Sequence, residues 1–216
     1  FSEAVSGLDE GDFVLTISGL TGTAVTAVSG SGNVYTVTVG TGAGDGTLRL
    51  DVDDNDTIAD AAGNPLGGDG LDNGDFTTGQ VYTLDRTPPV VQSIVRVGAS
   101  PTDAASVSFT VTFSESVTGV DTADVVLTKA GLPGAAVTAV SGSGATRTVT
   151  VGTGLGDGTV RLDLADNDSI LDAAANPLGG SGAGNGDFAG GQTYVINRTG
   201  EIRGIKWDDR DRDGYR

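Results

Sequence analysis

Apolar and polar residues alternate with a period of two along most of the chain. Val107, Phe109, Val111 and Phe113 are interleaved with Ser106, Ser108, Thr110 and Thr112. Tyr35, Val37 and Val39 alternate with threonines, and Val160, Leu162 and Leu164 with Thr159, Arg161 and Asp163. Successive side chains of a strand point to opposite faces, so the pattern predicts half-buried β-strands with threonine on the outer face. The runs SGSG, GAGDG and GLGDG mark turns. Strands spaced about ten residues apart suit a β-sandwich of about a hundred residues. One full set is expected at Val90–Val97, Ala105–Phe113, Asp124–Lys129, Ala135–Val140, Ala145–Val151, Gly158–Leu164 and Gln192–Asn197.

The pattern occurs twice. FSEAVSGLDEGDFVLT from Phe1 aligns with FSESVTGVDTADVVLT from Phe113, an offset of 112 residues (113 − 1) that runs on without a gap. Roughly two-thirds of the aligned positions are identical, which indicates tandem domains rather than a solenoid of small units. Residues 1–86 form the first sandwich, residues 87–198 the second, and residues 199–216 begin a third module or supply a donor strand. The first lacks the counterparts of Val90–Val97 and most of Ala105–Phe113, which exposes core and sheet edges. Either the chain is a piece of something longer, or another chain supplies the strands. Expected partners are neighbouring copies of the same protein or adjacent repeats, with strand exchange between chains.

Composition narrows the chemistry. The 216 residues include 36 Gly, carry a formal charge of −17, and contain no Cys, Met or His. A serine triad, a thiol nucleophile, an imidazole base and a thiolate zinc site are all excluded. Carboxylates and backbone carbonyls are hard ligands, and calcium is the cofactor they suit. The acidic balance argues against nucleic acid, and no apolar run approaches membrane-spanning length.

The runs TPPVVQSIVRV, VSFTVTFSESV and DAAANPLGG, with a return strand ending in NRT, resemble bacterial immunoglobulin-like repeats of large surface adhesins and biofilm-associated proteins. The resemblance covers nearly all of Phe1 to Arg198. It implies an all-β chain of tandem immunoglobulin-like sandwiches in an extracellular, cell-surface rod, stiffened by calcium at domain junctions, without catalysis. The tail GEIRGIKWDDRDRDGYR resembles the start of calcium-binding B-type surface-protein repeats.

The acidic residues divide into candidate ligands and candidate turn residues. Asp209, Asp211 and Asp213 form D-x-D-x-D-G, in which alternate carboxylates converge on one cation. DNDTIADAAGNPLGG from Asp54 recurs as DNDSILDAAANPLGG from Asp166. Asp54, Asn55, Asp56 and Asp60, with Asp166, Asn167, Asp168 and Asp172, are candidate calcium ligands. The same segments also read as a short helical turn capped by Asp56 or Asp168, with Ile58 and Leu66, or Ile170 and Leu178, plugging the sandwich end. Gly63 becomes Ala175, so Asn64 and Asn176 are the expected left-handed positions. Asp53 becomes Ala165 and is not expected to be an essential ligand. Asp85 and Glu115 are candidates to share a junction cation with an acidic loop. Asp51 and Asp163 read as surface partners of Arg49 and Arg161, and Asp45 and Asp157 as plain turn residues. The leading expectation is a structural stalk segment. A carbohydrate- or ice-binding module is the alternative, and paired-carboxylate hydrolysis is the least supported.

Overall fold

The computed structural model describes residues 1–198. Asp209, Asp211 and Asp213 lie outside the described residues. The chain divides into two compact units, Phe1–Thr87 and a second beginning at Pro88.

The first unit contains β1 (Val5–Ser6), β2 (Phe13–Ser18), β3 (Ala24–Ser31), β4 (Val34–Gly40), β5 (Gly46–Val52), β6 (Ala59–Asp60) and β7 (Val81–Leu84). They form sheets of order β2-β5-β7, β3-β4 and β1-β6. The second unit contains β8 (Val91–Arg96), β9 (Ser106–Phe113), β10 (Val125–Ala130), β11 (Ala136–Ser141), β12 (Thr146–Gly152), β13 (Gly158–Leu164) and β14 (Thr193–Ile196). All seven strands expected from the alternation are present. They form a four-stranded sheet β11-β12-β9-β8 and a three-stranded sheet β10-β13-β14, with every neighbouring pair antiparallel. The fold is all-β, in tandem sandwich-like units. Among the described residues no helix is long and apolar enough to cross a membrane.

Alternation places the second core. Along β9, Val107, Phe109, Val111 and Phe113 are buried while the Ser and Thr residues between them are not. Val149 and Val151 of β12 join them from the same sheet. Val160, Leu162 and Leu164 of β13, with Tyr194 and Ile196 of β14, meet them from the other sheet. Phe109 and Tyr194 touch edge to face at 5.2 Å between centroids, a favourable aromatic arrangement.

The first unit repeats this architecture without β8 and β9. Counterpart strands keep the offset of 112: β2 with β10, β5 with β13 and β7 with β14. Even the register shift between Val25 and Ala27 recurs between Val137 and Ala139. Burial does not recur. Val149, Val151 and Leu162 are fully buried, whereas Val37, Val39 and Leu50 are only half-buried. Tyr194 is 2% exposed and its counterpart Tyr82 is 64% exposed. The cause is the neighbour of β12. It pairs with β9 over seven residue pairs, while β4 pairs only with β3 among the described residues.

Three local expectations are corrected. The segments after Asp56 and Asp168 are not helical turns; 59–60 forms β6 and pairs with β1. Asp56 and Asp168 are left-handed (φ 64 and 65), which a helix N-cap is not. The left-handed turn position is also Gly63 and Ala175 (φ 87 and 68) rather than Asn64 and Asn176. Alanine tolerates this backbone poorly because its Cβ crowds the following carbonyl. Nothing lies within 4 Å of a Cβ built on Gly63, so the difference between copies is conformational. Ala175→Gly is expected to stabilise the second unit by about 0.5–1 kcal/mol net, after the glycine's greater unfolded-state freedom. Gly63→Ala is expected to destabilise the first unit by a similar amount, with both changes read from denaturant midpoints.

Candidate functional site

The duplicated acidic loop is held by its own carboxylates. Asp54 is 1% exposed. Its Oδ1 accepts the Asp56 N–H at 3.2 Å and its Oδ2 the Gly74 N–H at 3.0 Å, while its own N–H donates to Asp75 Oδ1 at 2.8 Å. The second copy repeats each bond: Asp166 accepts from Asp168 and Gly186 at 3.1 and 3.2 Å and donates to Asp187 at 2.7 Å. Asp56 and Asp168 reach across the loop to the Gly70 and Gly182 N–H groups. Asn55 and Asn167 accept from Thr57 and Ser169 N–H at 3.0 and 2.9 Å.

Asp60 and Asp172 close the adjoining hairpin. Oδ1 of Asp60 accepts the Ala62 and Asn64 N–H groups, both at 2.8 Å, and Oδ2 accepts the Asn64 side-chain amide at 2.7 Å. Asp172 does the same with Ala174 and Asn176. The Asn64 amide, followed by its backbone N–H, holds the Asp60 carboxyl below the usual carboxylate range. Burial pushes Asp172 upward, but the bonds from Asn176, Ala174 and Ala175 outweigh it and the net shift is down. Three donors converging on one carboxylate hold this alanine-containing segment in a turn. The plug expectation holds in the second unit, where Ile170 and Leu178 are buried. In the first, Ile58 is buried and Leu66 is half-buried.

A buried carboxylate outside the motif anchors each loop from below. Asp12 and Asp124 accept the Thr57 and Ser169 hydroxyls at 2.8 and 2.9 Å, and the N–H of Asp9 and Asp121 at 2.7 and 2.8 Å. Their carbonyls also accept from Asp53 and Ala165. Sequence reading missed them, although identity between copies was an available signal. Asp51 and Asp163 are buried rather than surface residues. Each lies two residues from its arginine on one strand face and takes a two-pronged pair, with Arg49 at 2.6 and 2.9 Å and Arg161 at 2.7 and 3.0 Å. The hydroxyls of Thr16 and Thr128, on the adjoining strand, complete the cover at 2.6 Å each. Arg49, and then Thr16, outweigh burial to keep Asp51 below its ordinary range. For Asp163 burial is the largest influence, and Arg161 and Thr128 together overcome it.

The exits of both sandwiches share a clamp that the sequence had suggested was plain turn. Asp45 accepts the Arg86 N–H at 2.6 Å and the Thr87 hydroxyl, and the Arg86 guanidinium reaches Gly44 O and Thr41 Oγ1. Asp157 accepts the Arg198 N–H at 2.6 Å, and the Arg198 guanidinium reaches the Gly154 and Gly156 carbonyls at 2.8 and 3.3 Å. The Thr87 hydroxyl, then the Arg86 N–H, hold Asp45 below its ordinary range.

Among the described residues, one acidic grouping within a single unit suits a hard cation. Carboxylate oxygens of Asp53, Asp72 and Asp75 lie within 4.8 Å of one another, and like charges that close repel unless a cation joins them. This grouping includes Asp53 and does not include Asp54, Asp56 or Asp60. Its counterparts are Ala165, Gly184 and Asp187, so the second copy does not reproduce it. In the second unit, oxygens of Glu115 and Asp172 also lie within 4.8 Å. Asp85 follows β7 in the first unit. Comparison with known proteins returns no matching family model, no matching curated protein and no matching solved structure.

Proposed function

We propose that the chain is a structural repeat segment of an extracellular bacterial adhesin stalk or surface filament, stiffened by calcium. One observation carries this reading: the same sandwich, acidic loop and arginine exit clamp are built twice at a constant offset. Near-duplicate units suit a spacer, in which each copy does the same mechanical work. The clamp supports it further, because it fixes the backbone direction where each sandwich ends. The resemblance to immunoglobulin-like surface repeats is consistent with this role.

Asp53, Asp72 and Asp75 are the proposed calcium ligands of the first unit. The carboxylates of Asp54, Asp56 and Asp60 instead hold their loop through backbone N–H groups. Calcium would cancel the repulsion among the grouped carboxylates and restrain the loops that carry them. Melting of the full chain in calcium and in EDTA tests this part. Calcium is expected to raise the first unit's melting temperature, and Asp53→Ala with Asp72→Ala to abolish the increase. Identical melting in both conditions discards calcium as the stiffening agent.

A further inference from the structure

Of the eight asparagines in the chain, only Asn73 and Asn185 precede a glycine, and they are counterparts at the offset of 112 (185 − 73). Asn–Gly is the pair most open to succinimide closure, because a residue without a Cβ leaves its nitrogen free to approach the asparagine Cγ. Both asparagines are exposed to water. In each copy the acidic loop engages both reacting groups. Gly186 N–H donates to Asp166 Oδ2 at 3.2 Å, and Gly74 N–H to Asp54 Oδ2 at 3.0 Å. The side-chain amide of Asn185 donates to Gly180 O at 3.0 Å, and that of Asn73 to Gly68 O and Asp69 O at 3.1 Å each. Neither Gly74 nor Gly186 is left-handed, so space rather than conformation requires them. A Cβ built on Gly186 would lie 2.7 Å from Leu178 Cγ and 2.8 Å from Leu178 O, and one on Gly74 would meet Leu66 at the same distances. Replacing the reactive pair therefore crowds the loop at the glycine or forfeits its carbonyl contacts at the asparagine.

We propose that Asn73 and Asn185 are self-modification sites, kept from reacting by Asp54 and Asp166. In the reaction the Gly186 nitrogen gives up its proton to solvent base and attacks Asn185 Cγ. The Cγ–Nδ2 bond breaks and ammonia leaves. One water then opens the five-membered imide at either carbonyl, giving aspartate or isoaspartate. No electrons change hands, and water is the sole co-reactant. While the loop is closed, two contacts oppose the first step. Deprotonating Gly186 would place a second negative charge against the Asp166 carboxylate. The peptide plane that must turn towards Cγ is held by that same bond and by the close approach of Leu178. Opening of the loop releases both. Asp54 and Asp166 are thus positioning residues, each for its own copy. The product does not restore the loop. A carboxylate at position 185 cannot donate to Gly180 O, and it adds charge to a loop that already holds Asp166 and Asp187. Isoaspartate also lengthens the main chain by a methylene. Each opening that reacts is recorded permanently in the chain. The inference goes beyond the stalk reading and does not depend on calcium.

The test follows both asparagines by peptide mapping of the full chain incubated at neutral pH. Mass spectrometry reads the change from amide to acid, and enzymatic methylation reads isoaspartate. Both sites are expected to convert in the chain unfolded by guanidinium chloride. In the folded chain conversion is expected to be at least about tenfold slower, the weight of one hydrogen bond to a charged acceptor. Asp166→Ala is expected to accelerate Asn185 at least about tenfold and to leave Asn73 unchanged, and Asp54→Ala to do the reverse. Asp166→Asn, which keeps one acceptor oxygen, is expected to fall between. Leu162→Ala weakens the second unit through its fully buried core and is expected to accelerate Asn185 far less than Asp166→Ala does. Equal conversion in the folded and unfolded chains overturns the proposal. So does acceleration of Asn185 by Leu162→Ala equal to that by Asp166→Ala, since conversion then follows global stability alone. Equal acceleration of both asparagines by one aspartate substitution also overturns it.

Discussion

Heating the full chain is expected to give two unfolding transitions, the lower from residues 1–87 and the upper from the unit beginning at Pro88. The second unit has a continuous core of buried apolar side chains from both sheets. In the first, Leu20, Leu48 and Ile58 are the buried apolar residues. Burying one Val, Leu, Ile or Phe side chain contributes about 1.5–3 kcal/mol, and whole domains are stable by only about 5–15 kcal/mol. Partial exposure of Val37, Val39, Leu50 and Tyr82 is therefore a large share of what a unit of this size has to lose. Leu162→Ala is expected to lower the upper transition alone, at about 2–5 kcal/mol. Leu50→Ala, at the half-buried counterpart, is expected to cost less and act on the lower transition. Calorimetry of the two variants checks the assignment, and a single cooperative transition contradicts it.

Asp166→Ala is expected to destabilise the second unit by about 3 kcal/mol, the cost of two backbone donors losing a charged acceptor inside a loop. Those donors are the N–H groups of Asp168 and Gly186, and no other residue of the motif binds this pair. Asp166→Asn keeps one acceptor oxygen and is expected to cost less. Asp168→Gly should be close to neutral. It removes the bond to Gly182 N–H but relieves a left-handed backbone at φ 65. Chemical denaturation of the three variants separates the outcomes. Equal losses at positions 166 and 168 would mean that the loop is not organised around Asp166.

The strands were legible in the sequence because alternation and burial share a physical cause. Side chains such as Phe109 and Val111 lie on one face of β9, and only that face meets another sheet. The acidic loop was less legible. Ala61, Ala62 and the preceding Asp suggest a helix start at short range, but the Asn64 N–H, which a helix would donate to the Asp60 carbonyl, goes to the Asp60 carboxylate. The pairing of β1 with β6 joins residues more than fifty positions apart, which no local pattern reveals. Asp163 lies on the outward strand face, so alternation alone assigned it to solvent. The arginine and threonine that cover it come from β13 and β10, a matter of register between strands. Arg86 and Arg198 were visible as identities between copies, but their hydrogen bonds run to turns more than forty residues earlier. The grouping of Asp53, Asp72 and Asp75 likewise depends on a loop folding back over nearly twenty residues.

The stalk reading is tested most directly by small-angle scattering of the full chain in calcium and in EDTA, at matched ionic strength so that general charge screening is held constant. A calcium-stiffened spacer predicts a narrow distribution of overall dimensions in calcium and a broader one in EDTA. Superimposable profiles in the two conditions would contradict it.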